Sequence, residues 1–226
     1  MRLMLFSFNK KVVIIVLFSF VFFGFSPKKE VSNWELKKSE NGISVYTRLT
    51  KDSEYKELKA TFQIKTSLSS IIALLNDVES YPQWVYRCQT SKVLKKDSDQ
   101  HLIRYQTIVA PWPVDNRDVV VEVNTRQDEK TNVVYQKVSA LPSYSPKLKG
   151  HVRITQFRAL WTLTPLKNGF VLVEYELLVN PAGSIPAWLV NLAMVEGPFD
   201  TSVKMRDRLM MEKYQKASFE FITNPK

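Results

Sequence analysis

The chain has 226 residues, a formal net charge of +10, 45% hydrophobic and 24% charged residues, and one cysteine. That length suits one sizeable domain able to bury a real core, and the lone Cys88 excludes an internal disulfide, so packing must hold the fold. With only His101 and His151 beside it, a closed Cys/His zinc site is excluded as well, and lysine pairs such as Lys37-Lys38 and Lys95-Lys96 sit in no nucleic-acid-binding motif.

In chain order, Arg2, Lys10 and Lys11 precede fourteen uncharged, mostly apolar residues, Val12 to Phe25. This is the make-up of a secretory signal, with an uncleaved anchor as the alternative. The protein is therefore expected to be exported, periplasmic or membrane-anchored, with residues 1–26 as targeting segment and 30–222 as the working domain. Loss of 1–26 would remove three positive charges and leave +7.

Trp34–Ser39 and Gly42–Arg48 read as strands joined through Asn41-Gly42, a tight-turn pair. Leu58, Ala60, Phe62 and Ile64 alternate with Glu57, Lys59, Thr61 and Gln63, which gives a third strand one buried and one wet face. The period changes over Ser67–Asp77, a helix capped by Ser67 and stopped before Tyr81-Pro82. Strands follow at Val93-Leu94, Leu102–Val109, Arg117–Arg126, Val133–Ala140, Val152–Thr164 and Phe170–Asn180. Their hairpin-length links imply antiparallel neighbours. Two links are longer and proline-rich, 110–116 and 141–149, as rims of sites often are.

From Pro181 to about Phe221 the sequence predicts a helix in two pieces, broken at Glu196-Gly197-Pro198, where a hinge is expected. Phe199, Val203, Met210, Tyr214, Ala217 and Phe221 share one stripe of the second piece. The order of elements predicts an α+β fold, a curved antiparallel sheet wrapped around the long C-terminal helix. The strands holding Phe157, Trp161 and Tyr175 carry more apolar bulk than one packed face needs, so part of the concave face is expected to line a hollow.

Catalytic patterns are scarce. The six glycines lie at least fourteen residues apart, which excludes a Gly-rich dinucleotide loop and a P-loop, and no Gly-x-Ser-x-Gly or His-Glu-x-x-His occurs. Cys88 with His101 is a conceivable nucleophile and base, though a lone cysteine is more often packing filler. Glu174 and Glu176 share a strand face that is expected to meet water, and His151 reads as a surface residue at a strand start. The informative stretch is Pro111-Trp112-Pro113-Val114-Asp115-Asn116-Arg117-Asp118, a rigid loop feeding an Arg-Asp pair expected to fasten it by local ion pairing.

That stretch, together with Asn76 to Trp84 and with Pro181-Ala-Gly-Ser-Ile-Pro-Ala-Trp188 ahead of a terminal helix, resembles the START family of lipid-transfer domains, over roughly Trp34 to Phe221. The resemblance implies a helix-grip fold with an apolar tunnel for one lipid, gated by the 110–116 loop and the C-terminal helix, and no cofactor. It puts Tyr105, Trp112, Arg117, Val119, Val121, Phe157, Trp161, Tyr175, Trp188, Leu192, Phe199, Val203 and Met210 along the ligand path. The Arg117 face continues as Val119, Val121 and Val123, so Arg104 and Arg158 are the candidates for a charge inside.

The first reading is therefore a monomeric lipid-binding module that touches anionic membrane through Trp112 or Trp188 and binds no nucleic acid. A helix-grip enzyme of aromatase/cyclase-like or hydrolytic type is the second. A membrane-tethered adaptor with a solid core, lacking a tunnel of at least about 300 Å³, is the third.

Overall fold

The computed structural model describes residues 33–51, 55–185 and 187–225; the targeting segment expected over 1–26 lies outside them. Among the described residues ten strands form one sheet: β1 (Glu35–Glu40), β2 (Ile43–Arg48), β3 (Glu57–Lys65), β4 (Cys88–Lys96), β5 (His101–Ile108), β6 (Asn116–Gln127), β7 (Val134–Ala140), β8 (His151–Arg153), β9 (Gln156–Pro165) and β10 (Phe170–Asn180). Their spatial order is β1-β2-β3-β10-β9-β7-β6-β5-β4. Neighbours on this path are antiparallel, as hairpin links demand of the consecutive strands, and β3–β10 and β7–β9 pair antiparallel without one.

The expected single strand Val152–Thr164 divides at Ile154-Thr155 into β8 and β9. β8 runs parallel to β6, pairing Asn116 with His151 and Asp118 with Arg153. The 141–150 segment makes this possible, since it carries the chain back to the same end of the sheet before β8 begins.

Helix α1 (Leu68–Asn76) starts where Ser67 accepts a hydrogen bond from the Ser70 amide at 3.0 Å. Leu68, Ile71, Ile72, Leu74 and Leu75 are buried. Helix α2 (Ala187–Leu209) lies across the concave face, and a short α3 (Glu212–Gln215) is pinned to Asp77 by the Tyr214 hydroxyl and Lys213, both at 2.7 Å.

α2 runs unbroken through Gly197-Pro198, so the expected two-piece helix is not found. Proline inside a helix removes one amide donor, and here Pro198 leaves the Met194 carbonyl without its usual partner while the Ser202 hydroxyl donates to the Pro198 carbonyl at 2.8 Å. Gly197 is buried against Tyr86; a Cβ there would lie 3.2 Å from the ring. The helix is fixed at its C-terminal half. Met205 and Leu209 are fully buried, and Arg206 donates to the carbonyls of Asn41, Gly42 and Gln63 at 2.6, 3.1 and 3.4 Å. Lys38 reaches across from β1 to Glu196 at 2.9 Å and covers the Phe199 ring.

Candidate functional site

Between the sheet and the N-terminal half of α2 lies a mostly apolar cavity of about 310 Å³. A solid core is thereby excluded. Its upper wall is the 110–116 loop through Ala110, Pro111 and Val114, the turn through Pro181 and Ile185, and α2 through Leu189, Ala193 and Met194. Its floor holds Tyr81, Trp84, Trp161 and Tyr175, the last two stacked with centroids 4.2 Å apart. Helical spacing of four puts Leu189, Ala193, Gly197 and Thr201 on this one face.

Two arginines are set into the walls. Arg104 is 6% exposed and lies 4.7 Å above the Tyr81 ring. Its Nη1 donates to Gln106 Oε1, and its buried Nε has no partner. Arg117 is 5% exposed and donates to the carbonyls of Pro181 (3.2 Å), Ala182 (3.0 Å) and Asp115, so it joins the 110–116 loop to the turn that enters α2. Burial draws Arg117 below the ordinary arginine value, with Asp115 opposing. Lys56 and Arg87 also reach the cavity, and among the described residues lining it there is no aspartate or glutamate. Burial raises the phenols of Tyr81 and Tyr175 against the lowering pull of Arg104, so both stay neutral. The interior is thus apolar with an uncompensated positive charge.

Asp118 does not pair with Arg117, as expected of the loop, because successive strand residues face opposite sides of the sheet. It takes Arg153 in a two-pronged ion pair, 2.9 Å at each oxygen, with side chains 1% and 0% exposed. Tyr105 adds its hydroxyl at 3.2 Å. Burial raises the Asp118 carboxyl, yet the Arg153 bonds, the Leu148 amide and Tyr105 outweigh that and hold it below the usual range.

Of the residues expected along the ligand path, Arg117, Val119, Phe157, Trp161 and Tyr175 line the cavity. Six do not. Trp112 points outward and is 92% exposed; Tyr105 lies on the Asp118 face; Val121 is fully buried in the packed core beside Val119 and Val138. Phe199 and Val203 pack against the core cluster of β2, β3 and α1, and Met210 lies one residue past the end of α2, 69% exposed. The side chains of Trp188 and Leu192 lie outside the described residues. Arg158 is exposed on the outer face and Arg104 is inward, which resolves the two candidates for a buried charge.

Cys88 and His101 are not brought together. Cys88 lies at 3.7 Å from Gln106 Nε2, and burial raises its thiol. His101 sits at the far end of β5 with its ring nitrogens on Glu122 (2.9 Å) and Asp97 (2.8 Å). Gln106, Tyr81 and the α2 residues of the cavity were missed by sequence reasoning; the matching parity of Arg104, Gln106 and Ile108 on β5 was the available signal.

A model of the START domain matches residues 27–213 of the chain. The chain belongs to the START family. A fragment of a STAR-related lipid transfer protein from Xanthomonas axonopodis has the same fold, with a TM-score of 0.73 and 34% identity, covering 80% of this chain and all of that one. An uncharacterized protein of Pseudomonas aeruginosa is 34% identical over 81% of this chain and 90% of its own length. The phosphatidylcholine transfer protein of Mus musculus is 31% identical over 74% of this chain and 78% of its own. The helix-grip architecture is that of the START fold, and membership of the START family supports the binding of a lipid or similar hydrophobic ligand.

Proposed function

We propose that the chain carries one lipid bearing an anionic group, held with that group at Arg104 and its apolar part against Val119, Phe157 and Leu189. One observation carries the reading: a buried guanidinium with an unpartnered Nε in a cavity whose described lining has no carboxylate. A charge left unpaired in a low-dielectric interior costs several kcal/mol, and a phosphate or carboxylate oxygen removes that cost. Kinship with a phosphatidylcholine transfer protein supports a phosphate-bearing ligand.

The 110–116 loop and the N-terminal half of α2 would act as the gate, and the outward Trp112 would touch the donor membrane. The walls named above need no second copy of the chain to complete them, and action as a monomer is part of this reading. The chain is a carrier and not an enzyme in this reading, because the phenols of Tyr81 and Tyr175 in the cavity and the nearby Cys88 thiol are shifted away from proton exchange at neutral pH. The apolar run in 1–26 supports export or anchoring.

The test is native mass spectrometry after incubation with vesicles of phosphatidylglycerol or phosphatidylcholine. The wild type should carry phosphatidylglycerol, and Arg104→Met should weaken that binding by roughly ten- to a hundredfold, the worth of about 1.5–3 kcal/mol for a charged hydrogen bond. Equal loading of wild type and Arg104→Met overturns the assignment.

A further inference from the structure

The 141–150 segment is polar in no ordinary way. Its backbone is fastened from below: Arg153, itself buried, donates to the carbonyls of Pro142 (2.7 Å), Ser145 (3.2 Å) and Pro146 (3.0 Å), and the Leu148 amide reaches Asp118 at 3.4 Å. Two further turns close on it, Tyr144 amide to Leu141 carbonyl and His151 amide to Leu148 carbonyl, both 3.2 Å. A segment held so firmly could turn its large apolar side chains inward. Instead Tyr144 is 46% and Leu148 43% exposed. Lys147 and Lys149 stand exposed on either side of Leu148, and residues 141–150 contain no acid.

The pairing of Asn116 with His151 puts this segment at the same end of the sheet as the 110–116 loop, and Val152 of β8 lies against the Gly183 turn that leads into α2. Trp112, Tyr144 and Leu148 therefore project from two neighbouring loops at the end of the sheet where the 110–116 loop and the Pro181 turn wall the cavity. We propose that the 141–150 segment is a second membrane-docking element, which seats this end of the domain on an anionic bilayer with Tyr144 and Leu148 in the interface and Lys147 and Lys149 on the headgroups. Apolar side chains flanked by cations match a negatively charged lipid surface, where aromatic rings sit at headgroup level and each lysine adds attraction. An acidic protein would match the lysines as well, but the site at which cargo enters and leaves must face lipid. The proposal rests on the lipid-binding reading in that respect.

The experiment places an environment-sensitive fluorophore on Leu148→Cys in a Cys88→Ser background of the full chain. Vesicles of phosphatidylcholine alone are compared with vesicles that also contain phosphatidylglycerol. The expected result is a blue shift, and quenching by spin-labelled acyl chains, on the anionic vesicles. Lys147→Gln with Lys149→Gln should weaken this response about thirtyfold, as two lysines near such a surface would. A probe at 148 that keeps its aqueous emission on anionic vesicles overturns the proposal, and so does equal insertion into phosphatidylcholine alone. Because a signal segment could hold the chain on vesicles by itself, the local probe and not co-sedimentation is decisive. Uptake of a short-chain phosphatidylglycerol below its micellar concentration is measured in parallel: if the wild type takes up none, the cavity reading fails, while the probe at 148 still decides the docking.

Discussion

Replacing Arg117 by methionine keeps an unbranched stem that reaches about as far as Nε and removes all of its donors. In the structure those donors link β6 and the 110–116 loop to the Pro181-Ala182 turn, so two of the three bonds cross the mouth of the cavity. A hydrogen bond from a charged group is worth about 1.5–3 kcal/mol net, hence roughly 3–6 kcal/mol for the pair. Burial of the guanidinium takes part of this back, as its lowered pKa direction shows, and we set the net at about 1.5–3 kcal/mol, which is ten- to a hundredfold in an opening rate. The bonds join elements that would separate on opening, so the loss should fall on the closed state. The assay is transfer of a fluorescent phosphatidylglycerol from quenched donor vesicles to the protein, followed by dequenching. Arg117→Met should speed both uptake and release by that factor with the far-ultraviolet circular dichroism unchanged. Exchange within twofold of the wild type, in a folded variant, refutes the assignment of Arg117 as the fastening of the mouth.

Asp118→Asn breaks the buried pair with Arg153 and should cost about 3–5 kcal/mol, which lowers Tm by roughly 6–20 °C in calorimetry. Since the Asp118 carboxyl lies below its ordinary 3.8 in the fold, its contribution is complete above that value and is lost as pH falls through the folded pKa; stability measured below pH 3.8 should drop less steeply in Asp118→Asn than in the wild type. His101 shows the opposite sign. Its contacts with Glu122 and Asp97 raise it above 6.5, so its contribution is present below pH 6.5 and fades as pH rises through the raised value; an NMR titration of the ring should give a midpoint above 6.5 that returns to normal in Glu122→Gln with Asp97→Asn. Pro198→Ala restores a donor to the Met194 carbonyl and should raise Tm while leaving lipid exchange in the dequenching assay within twofold of the wild type, because α2 is already continuous there, whereas Gly197→Ala should gain less than the ~1 kcal/mol that alanine brings to a helix interior, because its methyl would lie 3.2 Å from the Tyr86 ring.

Where one face of an element meets water, the sequence revealed it. β3 shows Ala60, Phe62 and Ile64 buried against exposed Gln63 and Lys65, although Glu57, expected on the wet face, is buried with Arg48 as its ion-pair partner, and Ser67 caps α1 as its position predicts. β5 defeats the same reasoning, since Leu102, Ile103 and Arg104 are all buried and both faces are covered, so alternation could not orient Arg104. The stripe of Phe199 and Val203 on α2 was legible as apolar but not as to its partner. It packs against β2 and β3, while the cavity takes the face of Leu189, Ala193 and Gly197, whose small residues leave the room that a ligand needs. Trp112 separates its two expected roles: the turn from Pro111 to Val114 sends it outward, off the ligand path and into the exposed position that contact with a membrane would need. The parallel pairing of β8 could not be read at all, because a three-residue strand has no period.

The continuity of α2 has a mechanical consequence. From Arg206, clamped to the β1–β2 turn and to β3, to Leu189 over the cavity is 17 residues, or about 25 Å of stiff rod at 1.5 Å per residue. Pivoted at the clamped end, such a rod tilted by about 10° would carry its far end roughly 4 Å. The hinge sought at Gly197-Pro198 is then not required, and the domain can widen its entrance by a lever whose fulcrum is the hairpin furthest along the chain from the loops proposed to meet the membrane.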